Sequence, residues 1–274
     1  MKPTPRLKDP VYPVPALEKG LDLLEILSAK PAGFALVELA AATGRKVTEI
    51  FRMVACLKRR GYIVVDPQTE RLTLGMKLFE LAHRHPPTER LIAVALSQMQ
   101  TLAQQTGQSC HLAVHSNGEM LVIAQVDSTR HMGFAVHVGA KIGLATSASG
   151  RVFLAFQEAR EQSRLLNLAQ SNLSSSTETI ATKSQASGEA AFEATGQQIR
   201  RKGYVSMPSD FIRGITNMSF PILSRCGDCV AAITIPYLQW AGDHGYPDLA
   251  ATRTRLGEIA QTISSSVGNI ERAS

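Results

Sequence analysis

The stretch LVELAAATGRKVTEIFRMVACLKRRGYIVVDPQTERLTL, residues 36–74, decides the fold of the N-terminal part of the chain. Apolar spacing predicts two short helices, with Gly44 ending the first because glycine adopts the left-handed conformation freely. The second helix has one apolar face: Ile50, Met53, Val54 and Leu57. Two β-rich runs follow, joined by a turn at Asp66-Pro67. This order predicts a winged helix-turn-helix, which places its second helix in the DNA major groove.

Two further predicted helices flank this motif. The first carries leucines at three- and four-residue spacing: Leu17, Leu21, Leu24 and Leu27. It lies between Pro15 and Pro31 and is expected to complete a three-helix core. The second covers residues 75–84 and is broken by His85-Pro86-Pro87, where we place the domain boundary. As a connector between domains, it is also a candidate dimer contact.

In the rest of the chain the spacing of apolar residues alternates between the periods typical of helices and of strands. Strands are predicted at residues 109–115 and 120–126, joined by a type I′ turn at Asn117-Gly118, and a third strand at residues 134–138. Helices, a late hairpin and a polar loop follow: helices 147–157, 158–170, 188–202 and 248–270, strands 218–223 and 230–235, and a loop at 171–187. Mixed helices and antiparallel hairpins indicate an α+β sensor domain.

The predicted organisation therefore has four parts: a disordered basic arm at 1–15, a winged helix-turn-helix at 16–74, a linker helix at 75–87 and an effector-binding and oligomerisation domain at 88–274. No run of 18 apolar residues exists, so no membrane span is expected. The N-terminus lacks a signal-peptide centre, and four cysteines without framework spacing fit a reducing cytoplasm.

Positive charge is concentrated on the predicted DNA-binding part. Residues 1–86 contain 14 Lys and Arg against 9 Asp and Glu, a net of +5 out of the chain's +6. Such a field attracts phosphate and releases counterions on contact. Six side chains are candidates for contact with DNA: Arg45, Lys46, Thr48, Glu49, Arg52 and, on the wing, Arg71. Arg and Lys bond guanine edges or phosphate, and Thr contacts phosphate or a thymine methyl.

Three blocks of sequence resemble the IclR family of bacterial transcriptional regulators. The first is the helix-turn-helix, with Thr43-Gly44 before its second helix and Gly61-Tyr62-Ile63 before the wing. The second is GAKIGLATSASGRVFLAF, residues 139–156, and the third is DFIRGITNMSFP, residues 210–221, followed by AAITI, residues 231–235. The resemblance covers residues 16–268. It implies an N-terminal winged helix-turn-helix, a GAF-like C-terminal effector domain, and homodimers or homotetramers on pseudo-palindromic operators. We expect no cofactor and no catalytic activity.

The chain departs from the family pattern at three places. Arg45-Lys46-Val47-Thr48-Glu49 replaces a Leu-Pro-Lys-Ser-Thr segment, so base preference does not transfer from relatives. Glu49 either reads a cytosine amino group or pairs with Arg52 or Arg45. Asn217 stands where a cysteine is common, and Ala148-Ser149 replaces Gly-Ala. The changes at Asn217 and at Ala148-Ser149 place polar side chains near the expected effector.

The predicted effector site is built around the start of a helix. Thr146 or Ser147 caps this helix, so the N–H groups of Ala148, Ser149 and Gly150 are predicted to face a carboxylate. Further hydrogen bonds are expected from Ser149, Asn217, Thr234 and Asp210, and pocket walls from Met132, Phe134 and Ile215. We expect a small organic acid, and the resemblance leaves keto, sugar and aromatic acids open.

Two alternatives come from isolated residues. Cys226 and Cys229 form a C-x-x-C pair that needs two more ligands to hold zinc, with His111, His115, His131 and His137 as the available histidines. Ser149 with a histidine suggests a nucleophile and base, but no G-x-S-x-G elbow is present. The competing functions are therefore an enzyme or metal-dependent redox protein acting on a small carboxylate, and an interaction protein that has lost DNA binding.

Overall fold

The computed structural model describes residues 14–83, 86–173, 189–241 and 245–270. The chain divides into two compact units, residues 1–89 and residues 90–274. The described elements of the first unit are the helices α1 (Pro15–Ser28), α2 (Leu36–Ala42), α3 (Val47–Arg59) and α4 (Lys77–His83) and the strands β1 (Ile63–Val65) and β2 (Leu72–Leu74). Most of the predicted basic arm lies outside the described residues, and α1 begins at Pro15.

The first unit is a three-helix core closed by a small antiparallel hairpin. Its buried residues come from all of these elements except α4: Leu23, Leu27, Leu39, Ala40, Ile50, Val54, Ile63 and Leu72. The apolar face predicted for α3 is confirmed. The face predicted for α1 is partly wrong, because Leu17 and Leu21 are exposed while Leu23 is fully buried. At 100° per residue, the core lies on the arc through Leu23 and Leu27 rather than on the arc through Leu17.

The wing forms because one aspartate organises its turn. Asp66 Oδ1 accepts hydrogen bonds from the N–H groups of Gln68 (2.8 Å) and Thr69 (2.9 Å). These bonds stabilise the carboxylate and lower the pKa of Asp66 below its ordinary value. The strands pair in the register Ile63↔Leu74, and Phe34 adds a bridge to Leu72.

The predicted linker helix exists as α4, but it is shorter than expected. Arg84 and His85 lie outside the described residues. The next helix begins at Pro86, within the proline pair that was expected to break the chain between helices. Proline is favoured in the first turn of a helix because the N–H that it lacks would have no acceptor within the helix there.

Five helices and six strands are described in the second unit, and the first of them, α5, begins at Pro86, just before the boundary. They are α5 (Pro86–Thr106), β3 (Cys110–Ser116), β4 (Glu119–Val126), β5 (Lys141–Gly143), α6 (Ala148–Ala155), α7 (Ala159–Leu173), α8 (Glu189–Lys202), β6 (Val205–Pro208), β7 (Ile215–Leu223), β8 (Cys229–Leu238) and α9 (Leu249–Ile270). The strands form one antiparallel sheet in the order β5-β4-β3-β8-β7-β6. The α+β prediction is confirmed, and the arrangement is consistent with a GAF-like fold.

Helices cover both faces of this sheet. On one face, α5 and α9 pack against strand residues such as Leu112, Met218 and Ile233. On the other face, α6 and α7 pack against Ala113, Met120 and Ala232, among others. Successive side chains along a strand point to opposite faces of the sheet, so neighbours such as Leu112 and Ala113 contact different helix layers.

Local signals predict most of the second unit correctly. Asn117 and Gly118 both have positive φ (49° and 79°), as the predicted type I′ turn requires. The strand predicted at residues 134–138 is wrong, because the edge strand that pairs with β4 is β5. Near Val122, β4 instead bonds to the backbone of Gly139 and Ala140. Of the predicted loop at 171–187, residues 171–173 belong to α7 and the remainder lies outside the described residues.

Gly150 fixes how closely α6 approaches the preceding chain. A Cβ built at this position would lie 2.0 Å from the carbonyl oxygen of Leu144, which is backbone and cannot rotate away. No larger residue fits there without moving the start of α6.

We therefore expect Gly150→Ala to lower the free energy of unfolding by about 1–3 kcal/mol, as overpacking typically does. Gly20→Ala is the control, because Gly20 lies inside α1 and a Cβ added there would have nothing within 4 Å. This change should stabilise by up to about 1 kcal/mol. Calorimetry of the full chain reports both effects, and an unchanged transition in Gly150→Ala would contradict the steric argument.

Candidate DNA-reading helix and effector pocket

The outward face of α3 combines basic, hydroxyl and aromatic side chains. Thr48, Phe51 and Arg52 are exposed or half-exposed along one side of the helix, and Lys46 lies just before it begins. The side chains of Lys46, Thr48 and Arg52 form no hydrogen bond or ion pair within the described part of the chain. They are therefore free to contact bases or phosphates.

Two of the predicted DNA contacts form ion pairs with residues of α1. Arg45 Nη1 lies 2.8 Å from Asp22 Oδ2, and both side chains are largely buried. Glu49 Oε2 lies 3.4 Å from Lys19 Nζ, so its partner is neither Arg52 nor Arg45. These pairs connect α1 to the turn that precedes α3 and to the first turn of α3, and they favour positioning roles for Arg45 and Glu49.

Arg71 has a structural role that its sequence position did not reveal. Its Nε donates to the carbonyl oxygen of Ala32 (3.0 Å), and its Nη2 donates to Gly33 (3.0 Å) and to Glu38 Oε2 (2.6 Å). The N–H of Ala35, together with the charges of Arg71 and Lys30, lowers the pKa of Glu38. This guanidinium therefore ties the wing to α2, and its predicted phosphate contact stays a prediction.

Phe51 is a candidate contact that the sequence analysis missed. Its side chain is 58% exposed, although phenylalanine is usually buried. Helical spacing places it on the same face as Thr48 and Ala55, so the periodicity that defined the apolar face already marked position 51 as outward. An exposed phenylalanine on a reading helix suits contact with a thymine methyl.

The second unit contains a cavity of about 430 Å³ between α6 and the sheet. Seven of the predicted effector residues line it: Thr146, Ser147, Ala148, Ser149, Asp210, Asn217 and Thr234. Phe134 lines it as well, together with Val136, Ile142 and Met207. A volume of this size suits a small organic ligand.

Three other predicted residues do not line this cavity. Ile215 is buried within the sheet, and Met132 is 67% exposed. The N–H of Gly150 does not face a ligand, because it donates to Ser147 Oγ at 3.0 Å. The helix cap is therefore Ser147, whose hydroxyl also donates to the carbonyl of Gly143 at 2.7 Å.

The first two N–H groups of α6 are the feature of the cavity that suits an anion. Ala148 and Ser149 occupy the first two positions of the helix, and their N–H groups have no acceptor among the described residues. A helix N-terminus carries a partial positive charge. An acid group placed at these two donors would therefore gain both hydrogen bonds and favourable electrostatics.

A row of buried hydroxyls continues from α6 into the sheet. Ser149 Oγ lies 2.8 Å from Thr234 Oγ1 on β8, and Thr234 donates to Ser219 Oγ on β7, also at 2.8 Å. Ser219 in turn donates to the carbonyl of Ile233. All three residues are at most 2% exposed, so the row is a fully buried polar connection between helix and sheet.

His111, which the sequence suggested only as a metal ligand or as a base beside Ser149, lies in this cavity. It lies on β3 directly opposite Thr234, is 3% exposed and lines the cavity. Neither Nδ1 nor Nε2 has a hydrogen-bond partner in the part of the chain that the structure describes. Burial lowers the pKa of His111 to about 4, so the ring is neutral at physiological pH.

The charged side chains that line the cavity lie at its edge. Lys141 and Asp210 are both exposed, and Lys141 Nζ is 3.7 Å from Glu119 Oε2. His137 lines the cavity and is exposed as well. The interior next to α6 therefore relies on neutral donors and on the helix dipole.

The cysteine pair does not form a metal centre with the available histidines. Cys226 is exposed, whereas Cys229 is buried and its Sγ contacts the carbonyl of Ala231 at 2.9 Å. His115 Nε2 accepts the N–H of Gly118 at 3.0 Å. In residues 14–83, 86–173, 189–241 and 245–270, no three His, Cys, Asp or Glu side chains are grouped to hold a metal.

A winged helix-turn-helix unit joined in one chain to a unit with a ligand-sized cavity defines a ligand-responsive DNA-binding protein. Two family models match the chain: "IclR helix-turn-helix domain" over residues 16–67 and "Bacterial transcriptional regulator IclR C-terminal" over residues 87–265. The chain belongs to the IclR family of transcriptional regulators. It has a DNA-binding helix-turn-helix and an effector domain, and it is not an enzyme.

Named relatives match most of the chain at low identity. The regulator KdgR of Escherichia coli is 24% identical over 86% of this chain and 83% of its own length. XynR of the same organism is 22% identical over 93% and 98%. An IclR homolog from Microbacterium hydrocarbonoxydans, solved in complex with 4-hydroxybenzoate, has a TM-score of 0.74 at 22% identity and covers 94% of this chain and 100% of its own.

The buried His111 predicts a specific loss of stability in acid. Between pH 6.5 and about 4 the unfolded chain binds a proton at this ring and the folded chain does not. The free energy of unfolding should therefore fall as pH drops through that window, by up to ~3 kcal/mol. Denaturant titrations at several pH values should show this fall in the wild type and a smaller one in His111→Leu. Identical pH profiles would contradict the burial of a neutral ring.

Proposed function

We propose that this protein binds a pseudo-palindromic operator as a homodimer or homotetramer and changes its DNA affinity when a small organic acid enters the cavity of the second unit. It acts in the cytoplasm under this proposal. None of the described helices is long and apolar enough to cross a membrane. The observation that carries the effector proposal is the pair of N–H groups at Ala148 and Ser149, which have no acceptor among the described residues and adjoin a cavity of about 430 Å³.

Operator recognition is assigned to the exposed face of α3. Lys46 and Arg52 supply free positive charge for phosphates or guanine edges, and Thr48 supplies a hydroxyl. Phe51 gives an apolar contact to a thymine methyl. Arg45, Glu49 and Arg71 hold the helix and the wing in position through Asp22, Lys19 and Glu38, respectively.

One contact of the oligomer is assigned to the apolar side chains on and beside α4, in addition to the contacts expected from the second unit. On and beside α4, Met76 and Phe79 are 67% and 54% exposed, and Leu78 and Leu81 are exposed as well. Several exposed apolar side chains on one short segment favour a protein–protein contact. A second copy of the chain is the proposed partner, because an operator with two half-sites requires two reading helices. The same helix is the proposed coupling element between effector binding and DNA binding.

An aromatic acid is the favoured class of effector. The cavity walls are largely apolar, with Phe134, Val136, Ile142 and Met207 among them. The Microbacterium homolog was solved with 4-hydroxybenzoate, which is a ligand of that size and chemistry. Keto acids and sugar acids remain in the test panel, because their carboxylates would meet the same two donors.

Operator binding is tested by removing one free charge from α3. Arg52→Ala should weaken binding to the operator by about 1–3 kcal/mol, because an arginine contact to a base or phosphate is lost. Arg160→Ala, an exposed arginine on α7, is the control for loss of charge alone. Fluorescence anisotropy at several salt concentrations measures both variants. Equal affinities of the two variants would remove Arg52 from the interface.

The proposed binding of an acid to the N–H groups of Ala148 and Ser149 is tested by removing one of these N–H groups while keeping the helix. Ala148→Pro deletes a donor at the first helical position, where proline is favoured, and Ser147 already has the extended backbone that must precede proline. An acid that stabilises the wild type in a thermal-shift screen should bind this variant at least about tenfold more weakly in calorimetry, as expected for a lost charge-assisted bond.

Ala159→Pro, at the first position of α7, is the matched control and should keep full affinity. Unchanged acid binding by Ala148→Pro would show that the carboxylate sits elsewhere. If no acid stabilises the wild type at concentrations well above a millimolar dissociation constant, the effector class itself is wrong.

A further inference from the structure

His111 occupies the centre of the sheet rather than its edge. It lies on β3, between β4 and β8, and its paired residues are Gln125 on one side and Thr234 on the other. Paired residues in an antiparallel sheet point to the same face, with Cβ atoms about 5 Å apart. The imidazole therefore lies on the α6 side of the sheet, next to the Ser149–Thr234–Ser219 row.

The ring is nevertheless excluded from that row. Each of the three hydroxyls bonds to another member or to the carbonyl of Ile233, whereas both ring nitrogens of His111 have no partner among the described residues. Buried polar atoms in native proteins are nearly always hydrogen-bonded, since a buried group without a partner is costly. Because His111 lines the cavity, the missing partner must come from the cavity side.

The chemistry of the missing partner follows from the state of the ring. Burial lowers the pKa of His111 to about 4, so the ring is neutral and presents one N–H donor and one nitrogen acceptor. A neutral ring gives little attraction for a negative charge on the ligand beyond the carboxylate that binds at the start of α6. A hydroxyl group suits both nitrogens, because it accepts from the N–H or donates to the other nitrogen.

We propose that His111 is a specificity-determining residue that hydrogen-bonds a hydroxyl group of the effector, so that the protein senses a hydroxy acid with an apolar body. The inference rests on the proposed effector function of the cavity and adds a second polar contact to the N–H groups of Ala148 and Ser149. Acids without a hydroxyl leave the imidazole unsatisfied. Acids with many hydroxyls place some of them against Phe134, Val136, Ile142 and Met207, which offer no side-chain hydrogen bonds.

The proposal is tested with pairs of acids that differ by one hydroxyl group. The probes are 4-hydroxybenzoate and 3-hydroxybenzoate against benzoate, and mandelate against phenylacetate. Calorimetry on the full-length wild type should give at least one hydroxylated acid that binds about ten- to 100-fold more tightly than its parent, as expected when a buried polar group is left unpaired. In His111→Leu this preference should collapse to within about threefold while the parent acid still binds.

His111→Gln is the matched control, because its amide keeps a donor and an acceptor, and it should retain part of the preference. A second measurement does not require a variant. In the ¹⁵N spectrum of histidine-labelled wild type, the ring nitrogens of His111 should shift when the hydroxylated acid is added and should shift less with its parent. This measurement keeps the proposal testable if both variants fail to fold.

The outcomes separate this inference from the proposed function. If acids bind and require the Ala148 N–H but the hydroxyl makes no difference in wild type or in His111→Leu, the role of His111 is overturned and the acid site stands. If His111→Leu keeps the full preference, another residue reads the hydroxyl and the role of His111 is likewise overturned. If no acid in the panel binds, the proposed effector class fails and the inference fails with it.

Discussion

The hydrogen bond between Ser149 Oγ and Thr234 Oγ1 is the interaction on which the sensing unit depends. It is 2.8 Å long, and both residues are 2% exposed. It connects the first turn of α6 to the middle of the sheet, while Gly150 lets the helix start against the carbonyl of Leu144. These contacts fix the direction in which the N–H groups of Ala148 and Ser149 point. Any ligand that binds them acts directly on the junction between helix and sheet.

Polar groups at this junction between α6 and the sheet are costly in free energy because they are buried. Most side chains around it are apolar, and an apolar replacement of a buried polar row of similar shape often preserves or raises stability. The hydroxyl groups of the row bond to one another and to a carbonyl, but the ring nitrogens of His111 and the first two N–H groups of α6 have no partner among the described residues. This local incompleteness is expected of a binding site, since local rules of stability are broken where function requires it. A ligand that completes these bonds favours the arrangement of the domain that it fits, by no more than its difference in affinity between states.

Local signals predicted most of the fold, and long-range contacts account for the errors. The apolar face of α3, the Asn117-Gly118 turn and the α6 cap depend on neighbouring residues, and they were predictable. The role of Arg71 depends on Glu38, 33 residues earlier, and the edge strand depends on competition for β4. His111 was missed because alternation along β3 shows which residues share a face but not what that face contacts. Its lack of partners becomes visible only when the sheet is assembled.

The most direct test of this account is residue-resolved amide hydrogen exchange at the start of α6, measured by NMR with and without the acid that most stabilises the protein. The N–H groups of Ala148 and Ser149 should exchange at least about tenfold more slowly when the acid is bound, because it becomes their acceptor. The N–H of Gly150, already bonded to Ser147, should change less. Unchanged exchange at Ala148 and Ser149 under saturating acid would contradict the central claim that these two donors receive the effector.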